Sequence, residues 1–346
     1  MKIKVRRPDD WHLHLRDGAI LQAVAPFSAA VFARAIIMPN LVPPITTMAA
    51  ALAYRRRILA ALPPNATFQP LMTCYLTDDL SPDELRLGAE RGVFVAAKLY
   101  PAGATTNSAR GVSDVRKIWP VLEMMERIGL PLLVHGEVVD EDVDIFDREA
   151  VFIERELTPL LADFPALRVV LEHVSTQTAV EFVLAQDDRV AATITPHHLL
   201  LTRNDLLAGG VHPHLYCLPI VKGAKDRRAL RTAATSGSPR FFLGSDSAPH
   251  PVRRKESARG RAGIFNSPVI MPWLAQAFEQ EQALPNLEAF SSLHGPRFYG
   301  LPINEDFIQL ERKEPDFPAC VEIPGGNDCL RIFSPPEKLH WRVAAA

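Results

Sequence analysis

The sequence lacks most of the features that would take the protein out of the ordinary globular class. Its four cysteines, Cys74, Cys217, Cys320 and Cys329, are scattered and form no CxxC pair. That argues against a disulfide framework or a zinc ribbon and fits reduced thiols in a cytosolic protein. There is little excess of either charge: the formal net charge is −2, so nothing points to nucleic acid or to a membrane surface. No apolar run is both long enough and free enough of charge to cross a bilayer. A secretory leader is not expected, because Asp9 and Asp10 follow the basic start where an apolar stretch would have to stand. Neither a repeat of fixed period nor a low-complexity segment is visible. A soluble, cytoplasmic protein is expected.

What is present is alternation. Short apolar, β-branched runs recur at WHLHL (11–15), RAIIMP (34–39), FQPLMTCYL (68–76), VFVAAKLY (93–100), LPLLVHG (130–136), LRVVLEHV (167–174), RVAATIT (189–195) and RFFLGSD (240–246). Six of them are followed by an amphipathic helical stretch before the next run, the pattern of parallel strands with crossover helices. Eight such units predict a closed (β/α)8 TIM barrel rather than an open sheet. Length alone would suggest two domains, but α/β barrels of 346 residues commonly form one. A single catalytic domain over 1–346 is therefore expected, with an irregular Pro- and Gly-rich extension from about 301. No helix is evident between the first run and Arg34, and the connection from 196 to 224 reads as a long functional loop.

Catalytic groups in such barrels sit at the C-terminal ends of the strands. There the sequence offers His12, His14 and Arg16, then Asn40, Lys98, His135, His173 and Asp246, with His250 just beyond. On a strand, residues two apart share a face, so His12, His14 and Arg16 would point together. Alone, that pair is as readily the polar face of an edge strand. Four histidines and an aspartate at strand ends, however, supply enough nitrogen and oxygen ligands for two divalent metals of the zinc type. Lys98 ends an apolar run. It either points out to solvent or faces the metals and loses its proton, in which case a neutral amine can take up carbon dioxide.

Other histidines fit less well. His212 and His214 lie in a Gly- and Pro-rich loop, and His197 and His198 would point to opposite faces of an extended segment. His294 and His340 fall outside the predicted strand ends, Cys217 reads as a buried inert thiol, and Arg253–Arg254–Lys255 reads as a solvated loop face.

The ordered set HLHLR, MPN, KLYPAGATTNSARGV, LLVHGE, LEHVST, TPHHL, CLPIVK and GSDSAPH resembles the class II, bacterial-type dihydroorotases of the amidohydrolase superfamily, from Trp11 to about Gly263. The resemblance implies a zinc-dependent cyclic amidohydrolase that interconverts N-carbamoyl-L-aspartate and L-dihydroorotate in pyrimidine synthesis, working as a homodimer. Carried over by motif, His12, His14 and Asp246 would hold one zinc, His135 and His173 the other, and carboxylated Lys98 would bridge both. Asp246 would act as general base and then acid for attack by a metal-bridging hydroxide. Arg16, Asn40 and His250 would bind the substrate carboxylate, helped by backbone at Ala262. Leu218 would present main-chain groups to the ring, and Thr105 and Thr106 would lie in a mobile loop that closes over the site. Two rival readings are a hydantoinase- or dihydropyrimidinase-like amidase and a non-catalytic barrel scaffold. A neutral ring would leave Arg16 without a carboxylate, and a scaffold would be expected to have lost metal ligands.

Overall fold

A computed structural model of the chain describes residues 1–344. Eight parallel strands form one sheet in sequential order: β2 (Asp9–Leu13), β3 (Arg34–Ile37), β4 (Gln69–Tyr75), β5 (Phe94–Leu99), β6 (Leu132–Val134), β7 (Val169–Leu171), β8 (Val190–Ile194) and β9 (Phe241–Leu243). The circle closes just past the strand ends, where His14 N donates to Ser247 O at 3.1 Å and Asp246 N to His12 O at 2.9 Å. Buried Asp10 reinforces the seam by accepting from Ser245 N at 2.8 Å and His12 N at 3.1 Å. The result is the TIM barrel expected from the alternation.

The barrel interior is filled by one side chain from each strand: Trp11, Ile36, Leu71, Ala96, Leu133, Val170, Ala191 and Phe242. Small Ala96 and Ala191 balance Trp11 and Phe242, as a layered barrel core requires. The helix His294–Tyr299 closes the floor, with Tyr299 stacked on Trp11 at 4.5 Å between ring centroids. Gly295 permits that approach, because a Cβ there would lie 1.9 Å from Trp11 Nε1. Two residues above this layer, the strict alternation of a strand brings the next inward side chains to the mouth. From Ala96, Leu133 and Val170 that step reaches Lys98, His135 and Glu172. In β2 the register shifts between Asp10 and Leu13, and Trp11 and His12 both come to face inward while Leu13 and Leu15 join the outer core.

Two sequence expectations need correction. A helix does follow the first barrel strand, at Gly18–Val31. It is apolar on most of its surface and carries Pro26 in its interior, so neither amphipathic period nor composition announced it. The extension from about 301 is also not simply irregular. It carries β10 (Phe307–Arg312), β11 (Cys320–Glu322), β12 (Cys329–Arg331) and β13 (Trp341–Val343). β10 pairs antiparallel with both β13 and β1 (Lys2–Arg6), so the two ends of the chain make one small sheet beside the barrel. Among the described residues no helix is long and apolar enough to cross a membrane.

Candidate functional site

The sequence-predicted residues converge at the barrel mouth. His12 Nε2 and His14 Nε2 lie 3.1 Å apart, and each faces Asp246 Oδ1, at 3.4 and 3.1 Å. Beside them, His135 Nδ1 lies 3.2 Å from His173 Nε2. Four ligands at zinc–nitrogen or zinc–oxygen bond lengths stand about 3.3 Å from one another at the corners of a tetrahedron, so both groups have the spacing of a metal site.

The partners of the far ring nitrogens decide which lone pairs face inward. His14 Nδ1 is 2.9 Å from Asn40 Oδ1, whose amide is oriented by donation from Nδ2 to Thr106 O at 2.9 Å. An amide oxygen only accepts, so Nδ1 carries the hydrogen and Nε2 keeps its lone pair. His135 Nε2 is 2.8 Å from Glu137 Oε2, which by the same logic leaves the Nδ1 lone pair toward His173. His12 Nδ1 lies 3.0 Å from Glu172 Oε1. Burial lowers the pKa of His12 and, much further, those of His14 and His173. All three therefore favour the neutral form a metal needs. Burial also raises the pKa of Asp246 against the pull of His12. Taken together, two histidines with fixed tautomers, His14 and His135, the further rings of His12 and His173, and a carboxylate fit divalent metal of the zinc type.

Lys98 faces inward and is fully buried, its Nζ in contact with Glu172 Oε2. Burial lowers its pKa, while Glu172 opposes that shift. Burial alone would raise the pKa of Glu172, but His12 and Lys98 outweigh it and the net shift is downward. Glu172 and Glu137 were not singled out from the sequence. Glu172 was legible as the residue two beyond inward Val170, and Glu137 as the acid two beyond His135.

Arg16 lies on the same mouth. Its Nη2 is 3.0 Å from His250 Nε2, and its Nε donates to Pro249 O at 3.2 Å. Its Nη1 is buried without a partner, a donor held ready for an anion. Burial, then the Arg16 charge, lowers the His250 pKa to about 2. Three of these residues, Arg16, His173 and Asp246, have left-handed backbone, with φ of 58°, 43° and 41°. Such conformations in non-glycine residues concentrate at functional sites.

The segment 101–111 covers the mouth. Asn107 Nδ2 donates to Asn40 O at 3.0 Å, and Thr106 Oγ1 to Ala262 O at 3.4 Å. Thr105, Thr106, Leu218 and Ala262 line the remaining space together with His12, His14, His135, His173, Asp246, Arg16 and Asn40. That space is about 20 Å³, room for about one water.

The other histidines lie apart. His214 pairs with Glu256 at 2.8 Å in its loop, and His294 donates to Phe241 O at 3.1 Å. His197 and His198 are not on an extended segment but on a short helix, Pro196–Leu200, and both are buried with Cys217 close by. His198 is held by Thr195 Oγ1 at 2.8 Å and Pro219 O at 2.9 Å. Burial pushes the Cys217 thiol up to about 12, consistent with an inert cysteine. Lys255 departs from expectation: it is buried, not part of a solvated face.

Comparison with known proteins agrees with this geometry. Residues 10–305 match the model of the Amidohydrolase family. A dihydroorotase of Yersinia enterocolitica is 56% identical over 343 residues, covering 99% of this chain and 98% of the relative. Among solved structures, a dihydroorotase from Campylobacter jejuni superposes with a TM-score of 0.90 at 38% identity, over 99% of this chain and 98% of that one. A dihydroorotase from Saccharomyces cerevisiae in complex with 5-fluoroorotic acid also gives a TM-score of 0.90, at 36% identity and the same coverage.

Proposed function

This chain belongs to the amidohydrolase family and to its dihydroorotase branch, and on that premise we propose that it interconverts N-carbamoyl-L-aspartate and L-dihydroorotate in pyrimidine synthesis. The observation that carries the reading is the unpartnered Nη1 of Arg16, opening onto the same small space as the His and Asp cluster. A guanidinium with a free donor is a receptor for carboxylate, and it stands where a hydrolytic metal centre would act.

His12, His14 and Asp246 would hold one zinc and His135 and His173 the other, with Lys98, as its carbamate, bridging both. Bound there, the pair would supply hydroxide at neutral pH and polarise the ring amide carbonyl. Asp246 takes the proton of the attacking hydroxyl and passes it to the ring nitrogen as the C–N bond breaks. A carboxylate whose pKa burial raises is suited to both halves of that transfer. Ring closure runs through the same groups in reverse. Arg16 Nη1, Asn40 and His250 hold the substrate carboxylate, with backbone at Ala262, and Leu218 offers main-chain groups to the ring. Because the space beneath Thr105 and Thr106 is so small, segment 101–111 must lift for substrate to enter and close again to exclude water.

Formation of the carbamate requires a neutral Lys98 amine, which burial favours. Glu172, in contact with Nζ, is placed to take the displaced proton, because the Lys98 charge that helps to hold its pKa down is gone once the amine is neutral. We further propose one catalytic domain over 1–346, acting in the cytoplasm as a homodimer. The four free cysteines and the family resemblance support that reading.

Ring opening of dihydroorotate measured beside dihydrouracil tests the proposal. A strong preference for dihydroorotate is expected, because dihydrouracil has no carboxylate for Arg16. Preference for dihydrouracil would instead identify a dihydropyrimidinase-like amidase.

A further inference from the structure

We infer that Lys255 is a positioning residue for substrate recognition, whose ammonium holds together the two main-chain segments forming one wall of the site. The inference rests on the reading above, which assigns Ala262 and Leu218 to substrate.

Lys255 is only 3% exposed. Its Nζ donates to Tyr216 O at 2.8 Å, Arg261 O at 2.9 Å and Gly263 O at 2.7 Å. An ammonium has three donors, and all three are used. Two of the carbonyls flank Ala262, and the third belongs to the strand of chain that leads into Cys217 and Leu218. With the carbonyls of Arg261 and Gly263 turned toward Lys255, that of Ala262 is left to meet Thr106 Oγ1 of the covering segment. Gly263 N also donates to Tyr216 O at 3.0 Å, so the segments are joined directly as well as through the ammonium. Gly263 has φ +143°, and a Cβ there would lie 2.4 Å from Ala248 O. Only glycine lets this wall come so close to the chain after Asp246.

Charge links the clamp to pH. Burial lowers the Lys255 pKa to about 8, with the nearby Cys217 opposing the shift. The titratable groups facing it are Tyr216, Cys217, His197 and His250. Burial raises the pKa of Tyr216 and of Cys217 and lowers those of both histidines, so none of them changes charge near pH 8. Above that pH the neutral amine has two N–H groups for three carbonyls, and the wall loses one of its ties.

The test uses the zinc-loaded enzyme hydrolysing dihydroorotate. Lys255→Met is expected to raise KM about tenfold while kcat and zinc content stay within about twofold, the signature of lost binding without lost chemistry. In the parent protein kcat/KM should fall above about pH 8 through a rise in KM, and in Lys255→Met that limb should vanish. An unchanged KM in the variant, a parallel loss of kcat and zinc, or a basic limb that persists would each overturn the inference. Should Lys255→Met not fold, a parent KM that stays flat from pH 7 to about pH 9.5 would overturn it alone. A parent enzyme inactive on dihydroorotate but active on dihydrouracil would instead sink the substrate assignment, and this inference with it.

Discussion

Arg16 and His250 meet at 3.0 Å, Nη2 to Nε2, and the histidine is the acceptor. It can accept because burial and the Arg16 charge keep it neutral at any working pH. His250 thus fixes the plane of the guanidinium and leaves Nη1 free for the carboxylate we propose it binds. Arg16→Lys keeps the charge but not the planar fork. We expect KM to rise about 100-fold, or about 3 kcal/mol, with zinc content unchanged. Steady-state kinetics beside metal analysis decide the point: loss of zinc at an unaltered KM would remove Arg16 from substrate binding.

Glu137 decides which nitrogen of His135 faces the proposed metal. Its Oε2 lies 2.8 Å from His135 Nε2, holding the hydrogen there and the lone pair at Nδ1. Groups that orient a metal-binding histidine are worth about 10- to 100-fold in metal affinity. Glu137→Ala should weaken zinc binding by that factor, whereas Glu137→Gln, which still offers an amide oxygen, should retain most of it. Competition with a chelator reads the affinity directly. Equal losses in the two variants would show that charge, not tautomer, is what Glu137 provides.

Lys98 and Glu172 form the buried pair at the centre of the mouth. Lys98→Ala removes the proposed bridge, and activity should disappear together with zinc at one or both positions. Short carboxylic acids offer a replacement anion, and adding acetate to the zinc-loaded variant should restore part of the lost metal. Full zinc occupancy and unchanged turnover in Lys98→Ala would rule out the bridging role.

How far the sequence announced this site depends on backbone geometry. Eight apolar runs and the step of two from Ala96 and Leu133 lead directly to Lys98 and His135, since strand parity is carried by the residue order itself. The same step from Val170 leads to Glu172, not to its neighbour His173. Yet both face the mouth, because His173 adopts φ 43° immediately after β7. Arg16 and Asp246 are turned in the same way. Histidine and aspartate enter the left-handed region more readily than most residues, but so rarely that the residue order does not announce it at a given position, and here the family motif located what parity could not. Lys255 was missed for another reason. Within a run of three basic residues it looks solvated, and its burial depends on carbonyls of Tyr216, Arg261 and Gly263, which composition does not reveal.

His198 supplies a pH dependence of stability whose sign follows from its contacts. Its Nε2 donates to Pro219 O and its Nδ1 meets Thr195 Oγ1, a pattern the neutral ring satisfies. Burial lowers its pKa from the usual 6.5 to about 4. Between those values the unfolded chain binds a proton that the folded protein does not, so folding weakens as pH falls from about 6.5 to about 4 and then levels off. A shift of this size corresponds to about 3 kcal/mol. Thermal unfolding across that window should show a falling midpoint in the parent protein. In His198→Gln, which can donate to Pro219 O without titrating, the slope should be shallower while the midpoint at pH 7 is somewhat lower. Identical slopes in the two proteins would mean that His198 does not hold its neutral form against acid.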